Sequence, residues 1–233
     1  MKMDAQKIFP ISFSDIYRYL KCPFSLLLRK QRAPKIETIS PKHMKRGEIV
    51  HEIVAQYYRK LLGNDVVYER RKEPYQFLMQ ITGTNEYERF FRNFLKFEKK
   101  RVERGWKIVE VEQEHMTQYF RGICDAVFCD ERGRRIVLDW KVSSYFNKNY
   151  EMQGAIYKYI ASADTVIFLL LGSGREIIVN VKGAERKLQE IVRRMLEGKF
   201  ERNEDEKVCS ECEYSVFCLQ QKYWNCFEEV MWR

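Results

Sequence analysis

The run Arg121-Gly122-Ile123-Cys124-Asp125-Ala126-Val127-Phe128 is followed, past the turn-forming Asp130-Glu131-Arg132-Gly133, by Ile136-Val137-Leu138-Asp139-Trp140-Lys141. Two β-branched and aromatic runs separated by a glycine-containing turn are the pattern of a hairpin. Successive side chains of a strand point to opposite faces, so Asp139 and Lys141 share one face while Leu138 and Trp140 share the other. A carboxylate inside so apolar a strand is costly to bury unless a partner or a metal accompanies it. If Asp125 lies across the hairpin on that face, two carboxylates converge beside an ammonium group. A hard divalent cation relieves their repulsion and leaves positions for phosphate and water, which is how Mg2+ is usually held. The lysine then orients or helps deprotonate the attacking water, or offsets charge building on the phosphate. D-x-K is short and frequent by chance, and the strand around it is what gives it weight.

Upstream, the chain reads as helical. Ser12 with Asp15 makes a capping-box pattern that opens a short helix from Phe13 to Leu20, running into Lys21-Cys22-Pro23. After the polar stretch Ala33 to Lys42, further helices are expected at about Lys45 to Leu61 and Glu86 to Arg104, the second with Phe90, Phe91, Phe94, Leu95 and Phe97 on its apolar side. Gly105 stops it. From Trp106 the period turns alternating, with strands at Lys107 to Glu114, Thr117 to Phe128 and Arg134 to Val142. A helix at Asn149 to Ala161, strands at Thr165 to Leu171 and Glu176 to Val181, and a basic amphipathic helix at Ala184 to Leu196 complete the series. The charged linker Glu201 to Lys207 leads into a cysteine-rich tail. This order predicts an α/β or α+β fold, a sheet flanked by helices.

Of 233 residues 45% are apolar, enough for a packed core, so disorder and fibrous repeats are excluded as overall descriptions. Lys and Arg number 42 against 33 Asp and Glu, a formal charge of +9 that suits a polyanion, nucleic acid before an anionic membrane. The longest apolar run, Val166 to Leu171, is far short of a bilayer span, and no secretory signal precedes Ser12, so a cytoplasmic protein without membrane association is expected.

Three groups of residues are candidates for chemistry. His51, in Gly47-Glu48-Ile49-Val50-His51, offers a neutral imidazole as a third metal ligand, although a half-exposed helix histidine is the ordinary reading of such a residue. Gln153 and Tyr157, four apart on one helix, share a face and suit a strand-gripping or lysine-supporting role. His43 and His115 read as surface residues. In the tail, Cys209, Cys212 and Cys218 have the spacing C-x2-C-x5-C, a metal or cluster signal where thiols stay reduced. Spacing leaves the fourth ligand open: Cys226 makes a self-contained knuckle that favours zinc, and Cys22 ties the two chain ends together through a cluster. Cys124 and Cys129 read as small buried hydrophobes.

Taken in order, Cys22-Pro23, Gly47 to His51, Gly122 to Asp125, Asp139-Trp140-Lys141, Gln153 to Tyr157 and the Cys209, Cys212, Cys218 set resemble the RecB-like branch of the PD-(D/E)xK nucleases. Within it they are most similar to the CRISPR-associated iron-sulfur exonuclease family, with relatives in archaeal viruses and in helicase-nucleases. The CRISPR-associated members usually carry Glu where this chain has Asp139. The resemblance covers about Ser12 to Cys218. It implies a restriction-endonuclease-like core with a mixed central sheet, one nuclease domain over 1–233 with its core at about 40–200, and an iron-sulfur module from about 12–32 and 205–226. It further implies that His51, Asp125, Asp139 and the Trp140 backbone carbonyl hold Mg2+ or Mn2+, that Lys141 is catalytic beside Asp125 and Asp139, and that Gln153 and Tyr157 position DNA. Cys22, Cys209, Cys212 and Cys218 would bind a 4Fe-4S cluster, with zinc the lesser alternative. The implied activity is exonucleolytic hydrolysis of single-stranded DNA ends, in CRISPR adaptation, viral replication or repair, beside CRISPR integrase proteins or a helicase. The competing reading is a non-catalytic or partner-activated nucleic-acid-binding subunit of such an assembly.

Overall fold

In the computed structural model, which describes residues 8–36, 42–63 and 87–220, the chain divides into two units. One is Pro41–Leu188; the other joins Met1–Ser40 to Gln189–Arg233. Cys226 and the side chain of His43 lie outside the described residues.

The first unit is built on the hairpin. Asp130 shapes its turn, with Oδ1 accepting from the N–H of Arg132 (3.0 Å) and of Arg134 (2.9 Å), and Gly133 takes the left-handed φ of +78° that the reversal requires. Strands β1 (Lys107–Met116), β2 (Arg121–Cys129), β3 (Arg135–Lys141), β4 (Thr165–Leu170) and β5 (Arg175–Ile178) lie side by side in chain order. All neighbours are antiparallel except β3 and β4, which run parallel. A parallel pair needs a crossover, and here a helix, Tyr150–Ile160, lies between the two strands in sequence. The sheet is therefore mixed and flanked by helices, as the element order predicts.

Two helices precede the sheet, Lys42–Gly63 and Glu88–Glu103. With α1 (Phe13–Lys21) and α2 (Pro23–Lys30) before them, they are α3 and α4, and Tyr150–Ile160 is α5. Val50, Val54 and Tyr58 of α3, and Phe91, Phe94 and Phe97 of α4, form one core with Ile136, Leu138 and Trp140 of β3 and Ile167 and Leu169 of β4. The alternate residues of the same strands face α5: the Phe168 ring stacks on Tyr150 at 5.3 Å. Beneath α3, Glu98 is buried with Arg101 (2.7 Å) and accepts from the hydroxyls of Tyr57 (3.3 Å) and Tyr58 (3.0 Å), so its charge is matched and its oxygens are satisfied.

One expectation needs correction. β2 begins at Arg121 rather than Thr117, because the N–H of Thr117 donates to the Phe120 carbonyl (2.8 Å) and the Thr117 hydroxyl accepts from the Phe120 N–H (3.1 Å), closing a turn. The first helix ends at Lys21, close to the expected Leu20, and a further helix, α2, starts at Pro23, since a proline at the first helical position has no N–H to leave unpaired and a φ already suited to the helix.

In the second unit the capping box of α1 is present: Ser12 Oγ accepts from the N–H of Asp15 (3.3 Å) and Asp15 Oδ2 from that of Ser12 (3.0 Å). The N- and C-terminal segments are joined by the Phe24 N–H to the Glu201 carbonyl (3.1 Å), the Ile36 N–H to the Glu213 carbonyl (2.8 Å) and the Tyr19 hydroxyl to the Lys199 carbonyl (2.7 Å). Arg18 adds an ion pair to Glu213 at 2.6 Å. Helices α6 (Lys182–Leu196) and α7 (Glu206–Ser210) complete the described residues, none of whose helices is long and apolar enough to cross a membrane.

Candidate active site

The β2–β3 ladder runs from Cys129↔Arg135 to Ala126↔Leu138. Beyond that point β2 stays with β1 and β3 stays with β4, so the two central strands part. Asp125 is the next residue of β2, and its Oδ2 accepts the N–H of Trp140 at 2.9 Å, taking the place of a ladder carbonyl. Asp125 thus sits in the fork rather than across an intact ladder. Within a strand, a residue's C=O and N–H point to the same lateral side. The Trp140 carbonyl therefore points toward the same fork.

The opening lets groups from both faces meet. From α3, His51 Nδ1 approaches Asp125 Oδ2 to 3.5 Å, and its ring lies 5.6 Å from the Trp140 indole. On the other face, Asp139 Oδ2 accepts from Gln153 Nε2 (3.0 Å) and the Tyr157 hydroxyl (2.9 Å), while Gln153 Nε2 also donates to that hydroxyl (2.7 Å). Lys141 Nζ stands 2.7 Å from Asp139 Oδ1 and lies over the rings of Tyr150 (5.1 Å) and Phe168 (5.6 Å). His51, Asp125, Asp139, Lys141, Gln153 and Tyr157 are therefore all gathered at one place.

The charges there are strongly coupled. Burial pushes the Asp139 carboxyl up, the Lys141 ammonium pulls it down and the Asp125 charge adds to the rise, leaving it at about 6. Lys141 is held above the usual lysine value: burial opposes the ammonium, but Asp139 and Asp125 outweigh burial. The imidazole of His51 is raised in the same way, with burial overcome by its hydrogen bond and charge contact with Asp125 and by the charge of Asp139. Burial and the neighbouring Asp139 keep the Tyr157 hydroxyl protonated. The two carboxylates therefore favour the ammonium form of Lys141.

The donor set suits a hard divalent ion: two carboxylates, a strand carbonyl and an imidazole. Asp139 Oδ1 is buried and, apart from the Lys141 ammonium beside it, has no directed hydrogen bond. Among the described residues, however, no three His, Cys, Asp or Glu side chains stand ready around one point. Gln153 and Tyr157 hold Oδ2 of Asp139, and Lys141 stands at Oδ1. The chemistry of the donor set fits the ion.

The cysteines form a separate group. The N–H of Asn203 donates to Cys22 Sγ (3.4 Å) and the thiol of Cys209 donates to the Asn203 carbonyl (3.3 Å). After burial, the charges of Cys22 and Cys212 push the Cys209 thiol up, and those of Cys22, Cys209 and Cys212 act on Cys218 in the same direction. Cys124 is fully buried, as expected of a small hydrophobe.

Sequence reasoning missed the aromatic pair beneath Lys141. Tyr150 had a signal, since it lies three residues before Gln153 on the same helical face; Phe168 arrives from a parallel strand and had none. His115 is not a bare surface residue, because its Nε2 is 2.8 Å from Glu110, which also holds Arg135 at 2.7 Å.

Among curated proteins none matches the chain. A solved structure described as that of SSO0001 aligns with 16% identity over 89% of this chain and 84% of that one, at a TM-score of 0.40. The family model of the PD-(D/E)XK nuclease superfamily matches residues 10–219, which include the whole fork. By that match the chain belongs to the PD-(D/E)XK nuclease superfamily, hydrolases of nucleic acids that generally use Mg2+ or Mn2+.

Proposed function

We propose that the protein is a metal-dependent DNA exonuclease acting on single-stranded ends. The observation that carries the reading is the fork itself, where Asp125 and Asp139, 8% and 1% exposed, lie beside the Lys141 ammonium. Asp125, Asp139, His51 and the Trp140 carbonyl would hold Mg2+ or Mn2+. When bound, the ion supplies Lewis-acid activation of water and charge stabilisation at phosphorus. Lys141 neutralises charge gathering on the scissile phosphate. Gln153 and Tyr157 fix Asp139 through Oδ2 and so orient Oδ1, while His51, whose Nδ1 stands 3.5 Å from Asp125 Oδ2, would offer its imidazole to the same ion. The preference for single strands and ends rests on the resemblance to RecB-like and CRISPR-associated iron-sulfur exonucleases, as does a role in CRISPR adaptation, viral replication or repair beside an integrase or a helicase. The formal charge of +9 suits such a polyanion.

Cys22, Cys209, Cys212 and Cys218 are proposed to hold a 4Fe-4S cluster that joins the chain ends, supported by the resemblance and by Asn203, whose N–H donates to Cys22 Sγ and whose carbonyl accepts from the Cys209 thiol. End-labelled single and double strands, with either end blocked, incubated with Mg2+ or Mn2+, test the activity. Full cleavage by both Asp139→Ala and Lys141→Ala would reject it. Anaerobically purified protein that is colourless and carries one zinc per chain would reject the cluster.

A further inference from the structure

Immediately after Lys141 the chain makes a tightly held excursion before α5 begins. The Leu171 N–H donates to the Lys141 carbonyl (2.8 Å) and the Gly172 N–H to the Ser143 carbonyl (3.2 Å). Ser143 Oγ bonds both the carbonyl of Tyr145 (2.9 Å) and its N–H (3.0 Å). Gly172 is packed so closely that a Cβ there would lie 2.4 Å from Ser144 Oγ and 2.8 Å from the Ser144 nitrogen, so the backbone of this loop has no room to slide. The next residue, Phe146, turns inward against Tyr150 (5.7 Å) and Phe168 (6.0 Å), the rings that carry Lys141. Tyr145 turns outward. At 82% exposure it is the most exposed large hydrophobic side chain among the described residues.

A scattered surface aromatic needs no explanation. This one is held by a loop that leaves the strand bearing Lys141 and is tied at its start to Leu171 and Gly172, and its ring has no partner among the described residues. Four residues span at most about 14 Å, so the ring stands within a few nucleotides of a phosphate lying at Lys141. Lys148, exposed on the same loop, offers a cation to the backbone of the same strand. An aromatic face beside a cation is the usual means of gripping an unpaired base without regard to its identity, and a base in a duplex has no face free to accept it.

We infer that Tyr145 is a stacking platform for an unpaired nucleobase of the strand entering the fork, and that it helps set the preference for single-stranded over double-stranded DNA. The inference deepens the nuclease reading and rests on it, but its test is binding rather than cleavage. Fluorescence anisotropy with an end-labelled single-stranded DNA oligonucleotide, in EDTA, is compared for the wild type, Tyr145→Ala, Tyr145→Leu and Tyr145→Phe, each with its thermal midpoint measured. Loss of the ring should weaken strand binding about 5- to 100-fold, the range of one base stacked on one aromatic side chain. Tyr145→Phe should keep most of the affinity, and binding of a blunt duplex should change little in any variant. Equal strand affinity in Tyr145→Ala and wild type overturns the inference, as does an equal loss for duplex and single strand. An affinity in Tyr145→Leu matching Tyr145→Phe overturns it too, because bulk rather than a ring would then suffice. Failure of the wild type to cleave any DNA with Mg2+ or Mn2+ defeats the nuclease reading instead, and the anisotropy result tells the two failures apart.

Discussion

Asp15 and Asp139 are equally hidden, each 1% exposed, and their carboxyl groups are shifted in opposite directions. For both, burial raises the pKa. At Asp15 the backbone N–H of Ser12 and the cations Lys30 (3.1 Å) and Arg29 (3.5 Å) more than offset burial, and the group lies below its ordinary value. At Asp139 one ammonium must serve while Asp125 stands close, and the group rises to about 6. The unit that joins the chain ends uses its buried carboxylate as scaffold, with the charge matched where it is made. The sheet unit gathers two carboxylates about one ammonium in the fork, where burial outweighs Lys141 and leaves the Asp139 carboxyl raised, the kind of perturbed group that candidate functional sites hold.

The largest test of this contrast is to neutralise each carboxylate in turn. Asp139→Asn should lower the rate of strand cleavage by about 10³-fold, the scale of removing a group that acts on charge in the transition state. Asp15→Asn should leave that rate within a few-fold of wild type. Single-turnover cleavage measured for both variants decides it; comparable losses would show that the two sites do not divide scaffold from chemistry as their charges indicate.

The same contrast has a pH signature in the metal-free protein. Asp139 is raised from the ordinary carboxylate value to about 6 and His51 is raised as well, so both bind protons more tightly when folded. Such groups add stability below their unfolded pKa and lose it as pH rises through the folded one. Asp15 and Glu176, both lowered, act in the opposite sense, but their unfolded carboxyls are mostly ionised by pH 5, so their slope over the range above it is small. In EDTA the sheet unit should therefore lose about 1–2 kcal/mol between pH 5 and pH 7.5. Thermal midpoints should fall by a few degrees, and Mn2+ should reverse the fall. Midpoints that rise over this interval would show that the Asp139 carboxyl is not raised in the folded protein.

How much of this was legible follows from the range of each interaction. The shared face of Asp139 and Lys141 is a period of two within one strand, and the shared face of Gln153 and Tyr157 is a step of four within one helix. Both are local and both were readable. The fork was not, because the point where β2 leaves β3 is set by their other neighbours, β1 and β4, and no periodicity within the hairpin encodes it. For the same reason the approach of His51 to Asp125 followed only from a resemblance. The helix that starts at Pro23 was not legible, because a proline marks either the end of one helix or the first residue of the next, and only the partners of its neighbours decide which.

The aromatic hold on Lys141 sharpens the comparison at smaller scale, since Lys30, the counterpart beside Asp15, has no ring beneath it among the described residues. Tyr150→Leu removes one of the two faces against which the Lys141 ammonium rests. About tenfold should be lost from kcat, with little change in KM, because the ammonium acts on charge that develops during reaction. Tyr150→Phe keeps the face and should keep most of the rate. Equal losses in the two variants would assign the effect to the hydroxyl instead.

The smallest expected effect lies in the chain-end unit. Asp15→Asn retains an oxygen for the Ser12 N–H but leaves Lys30, 17% exposed, with only the Pro10 carbonyl, at 3.3 Å, among the described residues. The loss should be about 1 kcal/mol at neutral pH. The sign with pH is opposite to that of the fork. A carboxylate with a lowered folded pKa gives stability that is present above its unfolded value, near 4, and is lost as pH falls through the folded one. The difference between wild type and variant should accordingly be full at pH 6 and close toward pH 2. Hydrogen exchange of the α1 amides, followed across that range, reports on this unit rather than on the sheet. A gap that persists undiminished in acid would mean that Asp15 acts through the geometry of its cap and not through charge, and the pairing of scaffold with matched charge would fail at the residue that best represents it.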